Sequence, residues 1–467
     1  MSKIPILLPV EISSRELDYK IFVACLALNR ENRVFIGQHD VVFRLSQYMQ
    51  GGVYIGKNIF LLEWPLATLD RYASIKRNGF VYVHLDEEGA VWDGLEPEWR
   101  NQLSRRVDPR CLAREDYMCT WGDFQRDYYK SFGPDCADHI VTTGYPKFDL
   151  YKAPYNAYYA AAASSLRNTY GAFILVNTNF GLVNYQLGTK GIFVREYGYD
   201  VEVPEKRARF LRLWAHNTAI YARFVRLIGH LSIAFPDHTL VVRPHPTENC
   251  GTYEDIFRGV ENVKVVHEGT VVPWLLAGKV LVHNGCTTAI EAHFLGSSIV
   301  NFKPVNDAEA DLFLPNVIGT TCTTEEEVAE QVASCLDEQA ARPDSEPLPP
   351  RARRLLENFG TSDGLHRLLA VITDAQRAVG TRPVTFRRVK YAAGEAVQRT
   401  YDRAKDVVRP LFPEKQRRYK FLLSDAMFAR FRRSDIEART LDMSRIIGKR
   451  IRMSFHGPDL FSLEAAD

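Results

Sequence analysis

Short apolar runs alternate with helical patterns along most of this chain, and that alternation sets the expected fold. Residues 4–10 form an apolar run of strand length. Ser13-Ser14-Arg15-Glu16 then reads as a capping box, with Glu16 three residues after Ser13. Leu17, Ile21, Ala24 and Leu28 follow at helical spacing, so a core-facing helix is expected there. Residues 33–37, 53–55, 80–85, 117–120 and 139–142 read as further strands, with helical segments between most of them. Strands separated by helices predict a parallel sheet with right-handed crossovers.

Residues 151–170, rich in Tyr and Ala, read as a connecting segment. A second series opens with a strand at 173–176, followed by a long helical stretch from 204 to 235. Strands are then expected at 239–242, 263–266, 279–282 and 298–302, and a helix at 323–335. Residues 343–350 are Pro-rich and read as a loop. The expectation is an α/β protein with two Rossmann-like domains, 1–155 and 165–375, facing a central cleft. A basic helical C-terminal extension, 376–467, completes it.

Composition adds little to this for most of the chain. With 467 residues two domains are expected, and 46% apolar with 25% charged residues is ordinary for a globular protein. No run of eighteen apolar residues exists. The N-terminus lacks a signal-peptide pattern, and the eight cysteines include no C-x-x-C pair. These features predict a cytoplasmic protein with reduced thiols and no zinc site. Charge changes the picture at one end. Residues 377–467 hold 21 Lys/Arg against 11 Asp/Glu, a net of +10 within a chain of net +2. A basic tail on a mildly acidic body predicts either a polyanionic neighbour, such as the inner face of the cytoplasmic membrane, or a solvated helical surface packed on the body.

Candidate chemistry gathers where strands end, because open α/β sheets bind ligands at their carboxyl edges. One strand ends in Arg243-Pro244-His245-Pro246, where prolines fix the backbone around an imidazole. Arg243 and Pro246 are candidate nucleotide contacts, although Arg243 and Glu248 read most simply as a surface ion pair. Another strand ends in Asn284-Gly285-Cys286-Thr287-Thr288, with Glu291 a turn further on. Helix-start N–H groups and two hydroxyls suit a phosphate, and Glu291 suits a ribose; an unliganded N-cap is the alternative. In the first half, Asp86-Glu87-Glu88-Gly89 ends a strand and offers a general base or, equally, a solvated acidic turn. Glu11 and Arg15 face the expected cleft as substrate contacts or as an internal bridge. Asn177 and Asn179 end the first strand of the second half and are further candidates for substrate binding. Trp121-Gly122-Asp123 and residues 143–149 end two more strands with no forced role. No P-loop, nucleophile elbow, zinc helix or G-x-G-x-x-G fingerprint is present.

The twin-domain layout, Glu87-Glu88-Gly89, His245-Pro246 and Thr287-Thr288 resemble bacterial GT-B glycosyltransferases that use CMP-activated sugars, among them sialyl-, polysialyl- and Kdo-transferases. Residues 9–17 and 143–149 are similar to the bacterial surface carbohydrate biosynthesis protein family of capsule and lipopolysaccharide assembly. The resemblance covers roughly residues 4–375. It implies Glu87 or Glu88 as base, His245 as phosphate and leaving-group contact, Thr287 and Thr288 as phosphate donors, and Glu291 on the ribose. An inverting transfer of an acidic ulosonic sugar from CMP to a surface glycan would follow, with no metal and no cofactor beyond the donor. The third acid, Asp86, departs from the family pattern, and the basic tail is unexplained by it.

Two alternatives stand beside that reading. One keeps the architecture and makes the chain a CDP-glycerol-type polyol-phosphate transferase or a UDP-GlcNAc 2-epimerase-like enzyme. The other is a non-catalytic partner that binds glycan or nucleotide in an assembly complex. The expected partners are a nucleotide-sugar donor, a glycan acceptor and, through the tail, an anionic membrane. Nucleic acid is not expected, since the body is acidic and no recognition motif is present.

Overall fold

In the computed structural model, residues 3–57, 65–87, 89–132, 134–337, 348–360, 364–380, 384–408 and 430–466 are described. Most of the expected 343–350 loop therefore lies outside the described residues. Strands β1 (Ile4–Val10), β2 (Asn32–Gln38), β3 (Met49–Gln50), β4 (Gly52–Gly56), β5 (Phe80–Leu85), β6 (Tyr117–Thr120) and β7 (Ile140–Thr142) come first. They are followed by β8 (Phe173–Asn177), β9 (Thr239–Arg243), β10 (Val263–Val265), β11 (Val280–His283), β12 (Ser298–Phe302) and β13 (Thr320–Cys322). The chain closes with β14 (Thr385–Phe386), β15 (Ile451–Gly457) and β16 (Leu460–Ala465). It divides into two compact units, Met1–Gly89 with Asn101–Leu150 and Arg353–Asp467, and Ala90–Arg100 with Tyr151–Ala352.

The first unit is built on an eight-stranded sheet ordered β15-β16-β2-β1-β4-β5-β6-β7. From β2 to β7 every pairing is parallel. The reason is local: β1, β4 and β5 are buried over almost their whole length, as strands covered on both faces must be. The chain leaves β1 for β2 on one side and returns to β4 on the other, which places a switch point between β1 and β4.

Two expectations are corrected in this unit. The capping box at Ser13 does not form: helix Ser13–Ala27 has Ile12 at its N-cap with no side-chain cap bond. Glu16 turns inward instead and accepts the backbone N–H of Glu11 at 2.8 Å. The C-terminal segment is helical over Arg388–Val408 and Arg433–Ile447, but its end is not. Ile451–Gly457 and Leu460–Ala465 form an antiparallel hairpin, and β16 pairs antiparallel with β2. Alternation of apolar and polar residues in Ile451-Arg452-Met453-Ser454-Phe455 fits a strand at a sheet edge.

The second unit has a parallel six-stranded sheet ordered β10-β9-β8-β11-β12-β13. One face is covered by helix Pro204–Ala234, whose Phe224, Leu227, Ile228 and Leu231 pack on Ile174, Val176, Val242 and Val282. The other face meets helix Val271–Ala277 through Trp274 and Leu275 against Phe173, Leu175 and Leu281. From β8 the chain winds to β9 and β10, then crosses to β11 on the opposite side. The switch point lies between β8 and β11. The α/β class and the two Rossmann-like sheets of the GT-B expectation are thus present in the chain.

Candidate functional site

At the carboxyl ends of β8 and β9 the organising group is Glu248, which is 3% exposed. Its Oε1 accepts the Thr178 hydroxyl at 2.6 Å and the backbone N–H groups of Phe180 and His245 at 3.0 Å each. Its Oε2 accepts the Tyr253 hydroxyl at 2.7 Å. A buried carboxylate needs such donors, and here they come from three separate segments. The expected surface pair with Arg243 is not what these residues form. Arg243 lies 4.8 Å over the Trp274 ring and donates to the carbonyls of Glu268 and Gly269 at 2.8 and 3.1 Å. Burial draws its pKa down to about 10.

Glu248 therefore fixes the backbone that carries His245. The imidazole Nδ1 meets the Thr247 hydroxyl at 2.8 Å and accepts the Thr247 backbone N–H at 3.3 Å. A backbone N–H can only donate, so Nδ1 is the acceptor and the ring proton of the neutral form sits on Nε2. His245 is half-buried and Pro246 exposed. Gly181 lies against this corner: a Cβ there would come within 2.2 Å of Thr247 Oγ1.

Asn177 Nδ2 donates to Thr288 Oγ1 at 3.1 Å across the β8–β11 switch point. Val176 pairs with Val282, so Asn177 and His283 are the next neighbours in register. Gly285 has a φ of +65°, and a Cβ there would meet the Asn316 amide at 2.8 Å. The N–H of Gly285 is taken by Asn301 Oδ1 at 3.3 Å, and that of Cys286 by His283 Nδ1 at 3.2 Å. Those two amides, expected to meet a phosphate, are thus engaged internally. The hydroxyl of Thr287 is carried on an exposed residue and that of Thr288 on a half-buried one. Asn179 is also half-buried.

Among the described residues, three buried polar atoms in this region have no hydrogen-bond partner: Asn177 Oδ1, Asn284 Oδ1 and His283 Nε2. Asn177 and His283 are 3% and 0% exposed, and burial brings the His283 pKa down to about 3. Buried polar groups are nearly always paired, and these three unpaired atoms lie at the ends of the adjacent strands β8 and β11. Glu291 is buried in helix Thr288–Phe294, with the Tyr151 hydroxyl 3.5 Å from its carboxylate.

In the first unit, the ends of β1, β4 and β5 converge on a cluster of buried charges. Lys20 Nζ lies 2.9 Å from Glu16 and 2.7 Å from Glu87. Lys57 Nζ lies 2.9 Å from Glu11, 3.0 Å from Glu16 and 3.7 Å from Glu87. The Tyr19 hydroxyl donates to Glu87 at 2.7 Å. Burial raises the pKa of Glu87, against the pull of both lysines. Burial pushes the Glu16 carboxyl up, but Lys20, Lys57 and hydrogen bonds from Glu87 and the Glu11 backbone together hold it well below the usual carboxylate range. Glu11 thus pairs with Lys57 rather than Arg15, which is half-buried. Asp86 pairs with Arg106 at 3.2 Å, and its carbonyl accepts Trp121 Nε1 at 2.7 Å. Glu88 lies outside the described residues.

Lys20 and Lys57 are not singled out by the sequence, and Glu248 reads there only as a surface partner of Arg243. The i,i+4 spacing of Glu16 and Lys20 carries a signal for one pair. Nothing in local sequence joins Lys57 or Glu87 to it.

No known family model matches the chain, and no curated protein matches it. Among solved structures it is similar to the UDP-GlcNAc 2-epimerase of Methanocaldococcus jannaschii in complex with UDP-GlcNAc and UDP. That match has 11% identity and a TM-score of 0.44, over 79% of this chain and 99% of that one. It is similar also to the UDP-GlcNAc 2-epimerase of Neisseria meningitidis bound to UDP-GlcNAc, with 11% identity, a TM-score of 0.44, and coverage of 80% and 100%. A third is the wall teichoic acid polymerase TagF, with 10% identity, a TM-score of 0.42, and coverage of 80% and 89%.

Proposed function

We propose that the chain is an enzyme acting on a nucleotide-activated substrate in the assembly of a bacterial surface glycan. The nucleotide rests on the second unit, at the ends of β8, β9 and β11. The observation that carries this reading is the set of unpaired buried atoms on Asn177, His283 and Asn284 beside the fixed His245 corner. An Nε2–H donor and the Thr287 and Thr288 hydroxyls suit phosphate oxygens, and no cofactor is called for beyond the substrate itself.

Of the activated substrates, a CDP-polyol or a UDP-sugar fits better than a CMP-ulosonic sugar. The CMP reading asks Glu87 or Glu88 to take a proton from an acceptor hydroxyl. Glu87 is 5% exposed, with Oε1 held by Lys20 and Tyr19 and Oε2 buried without a hydrogen-bond partner among the described residues; its burial away from an acceptor favours chemistry centred on His245. The CMP reading then rests on Glu88 and on the resemblance of the motifs. Incubation with CDP-glycerol, UDP-GlcNAc and CMP-sugars, with nucleotide release and epimer formation followed, separates them. Turnover of the CDP or UDP compound is expected. Turnover of CMP-sugars alone restores the ulosonic reading, and silence across all three removes the enzyme assignment.

A further inference from the structure

Helix Arg388–Val408 is anchored to the first unit by one face. Tyr391 packs edge-on against Tyr48 at 5.7 Å, and Arg44 pairs with Glu395 at 2.9 Å. Gly394 lies so close to Tyr48 that a Cβ would come within 2.4 Å of its hydroxyl. Those contacts fix the rotation of the helix about its axis.

The opposite face carries Val389, Ala393, Ala396, Val397, Thr400 and Ala404, spaced by threes and fours along one side. All six are exposed, Val389 at 84% and Val397 at 71%. A solvated helix face is normally polar, so a stripe without a single charge is not explained by contact with water. Exposed cations border it, Arg388 and Arg399 along one edge and Lys390 along the other. The C-terminal segment that carries this helix has a net charge of +10.

We propose that this face lies in the headgroup region of an anionic phospholipid surface. The apolar stripe would enter the acyl boundary while Arg388, Arg399 and Lys390 reach back to lipid phosphates. An apolar stripe flanked by cations is the chemistry of a helix lying in a membrane interface. Anionic lipid also supplies the charge that the cationic borders lack. A second copy of this chain would bring the same cations to the interface and repel. The proposal does not depend on which nucleotide the second unit holds.

The test is co-sedimentation of the full chain with vesicles of phosphatidylcholine alone or mixed with phosphatidylglycerol. Binding is expected only to the mixed vesicles, falling steeply as salt is raised. Val397→Asp is expected to lower the partition coefficient at least about tenfold, and Arg399→Glu by a similar factor. Both positions are exposed, and circular dichroism checks that the variants remain folded. The salt dependence gives a readout that needs no substitution. Equal binding to both vesicle types, no binding, or wild-type binding by both variants overturns the proposal. So does a concentration-dependent dimer that Val397→Asp abolishes, since the occupant is then a second copy.

Discussion

The Glu248 carboxylate accepts the backbone N–H of His245 at 3.0 Å while the same oxygen holds Thr178 and Phe180. One buried charge thus ties the ends of β8 and β9 into a single rigid corner. Removing it strands two amides and two hydroxyls in the interior. Glu248→Ala is therefore expected to cost about 3 kcal/mol of stability. Urea unfolding measures it, and a loss below about 1 kcal/mol would show that the corner is held by something else.

Gly181 tests the same corner from the opposite side. A methyl there would come within 2.2 Å of Thr247 Oγ1, the partner of the imidazole. Gly181→Ala should cost about 1–2 kcal/mol through overpacking. Combining it with Thr247→Ala should recover much of that loss, because the colliding hydroxyl is gone. Strictly additive losses in a double-mutant cycle would refute the contact.

The buried charges of the first unit make a different prediction. Lys20 sits between Glu16 and Glu87 at 2.9 and 2.7 Å. Lys20→Met leaves both carboxylates short of a counter-charge and should cost about 3–5 kcal/mol. Adding Glu87→Gln should return part of it. Chemical unfolding of the two variants checks both the loss and the partial recovery.

Two buried histidines set a pH window. Burial lowers the pKa of His84 to about 4 and of His283 to about 3. The unfolded chain takes up protons at both below about pH 6.5, while the folded chain does not until its own lower values. Stability should therefore be flat above pH 7 with respect to these groups. It should decline between about pH 6.5 and pH 4 as the pH is lowered. His283→Gln should flatten that decline in thermal melts. An unchanged slope would mean that His283 titrates normally in the folded protein.

Most of the sheet architecture was legible because parallel strands buried on both faces are short, continuous apolar runs bounded by helices. Residues 80–85 and 239–242 carry that signal unaided. The final hairpin was not legible as such. Its alternating pattern sits in a basic segment, and its partner β2 lies more than 400 residues away. The site divided in the same way. Strand-end positions such as His245 and Asn284 follow from the apolar run before them. What surrounds them does not: Arg243 looks equally able to meet Glu248 or a carbonyl until the loop at Glu268 is folded against it. Glu87 looks like a surface acid until Lys20, Lys57 and Tyr19 close around it.

Nucleotide binding at the ends of β8, β9 and β11 in the second unit is open to direct measurement. Calorimetric titration of CDP and UDP into the wild-type protein, His245→Ala and Asn177→Ala tests it most directly. Saturable binding to the wild type is expected, weakened at least about tenfold in each variant while melting of His245→Ala stays unchanged. Equal affinity in all three proteins, or no binding to any, would contradict it.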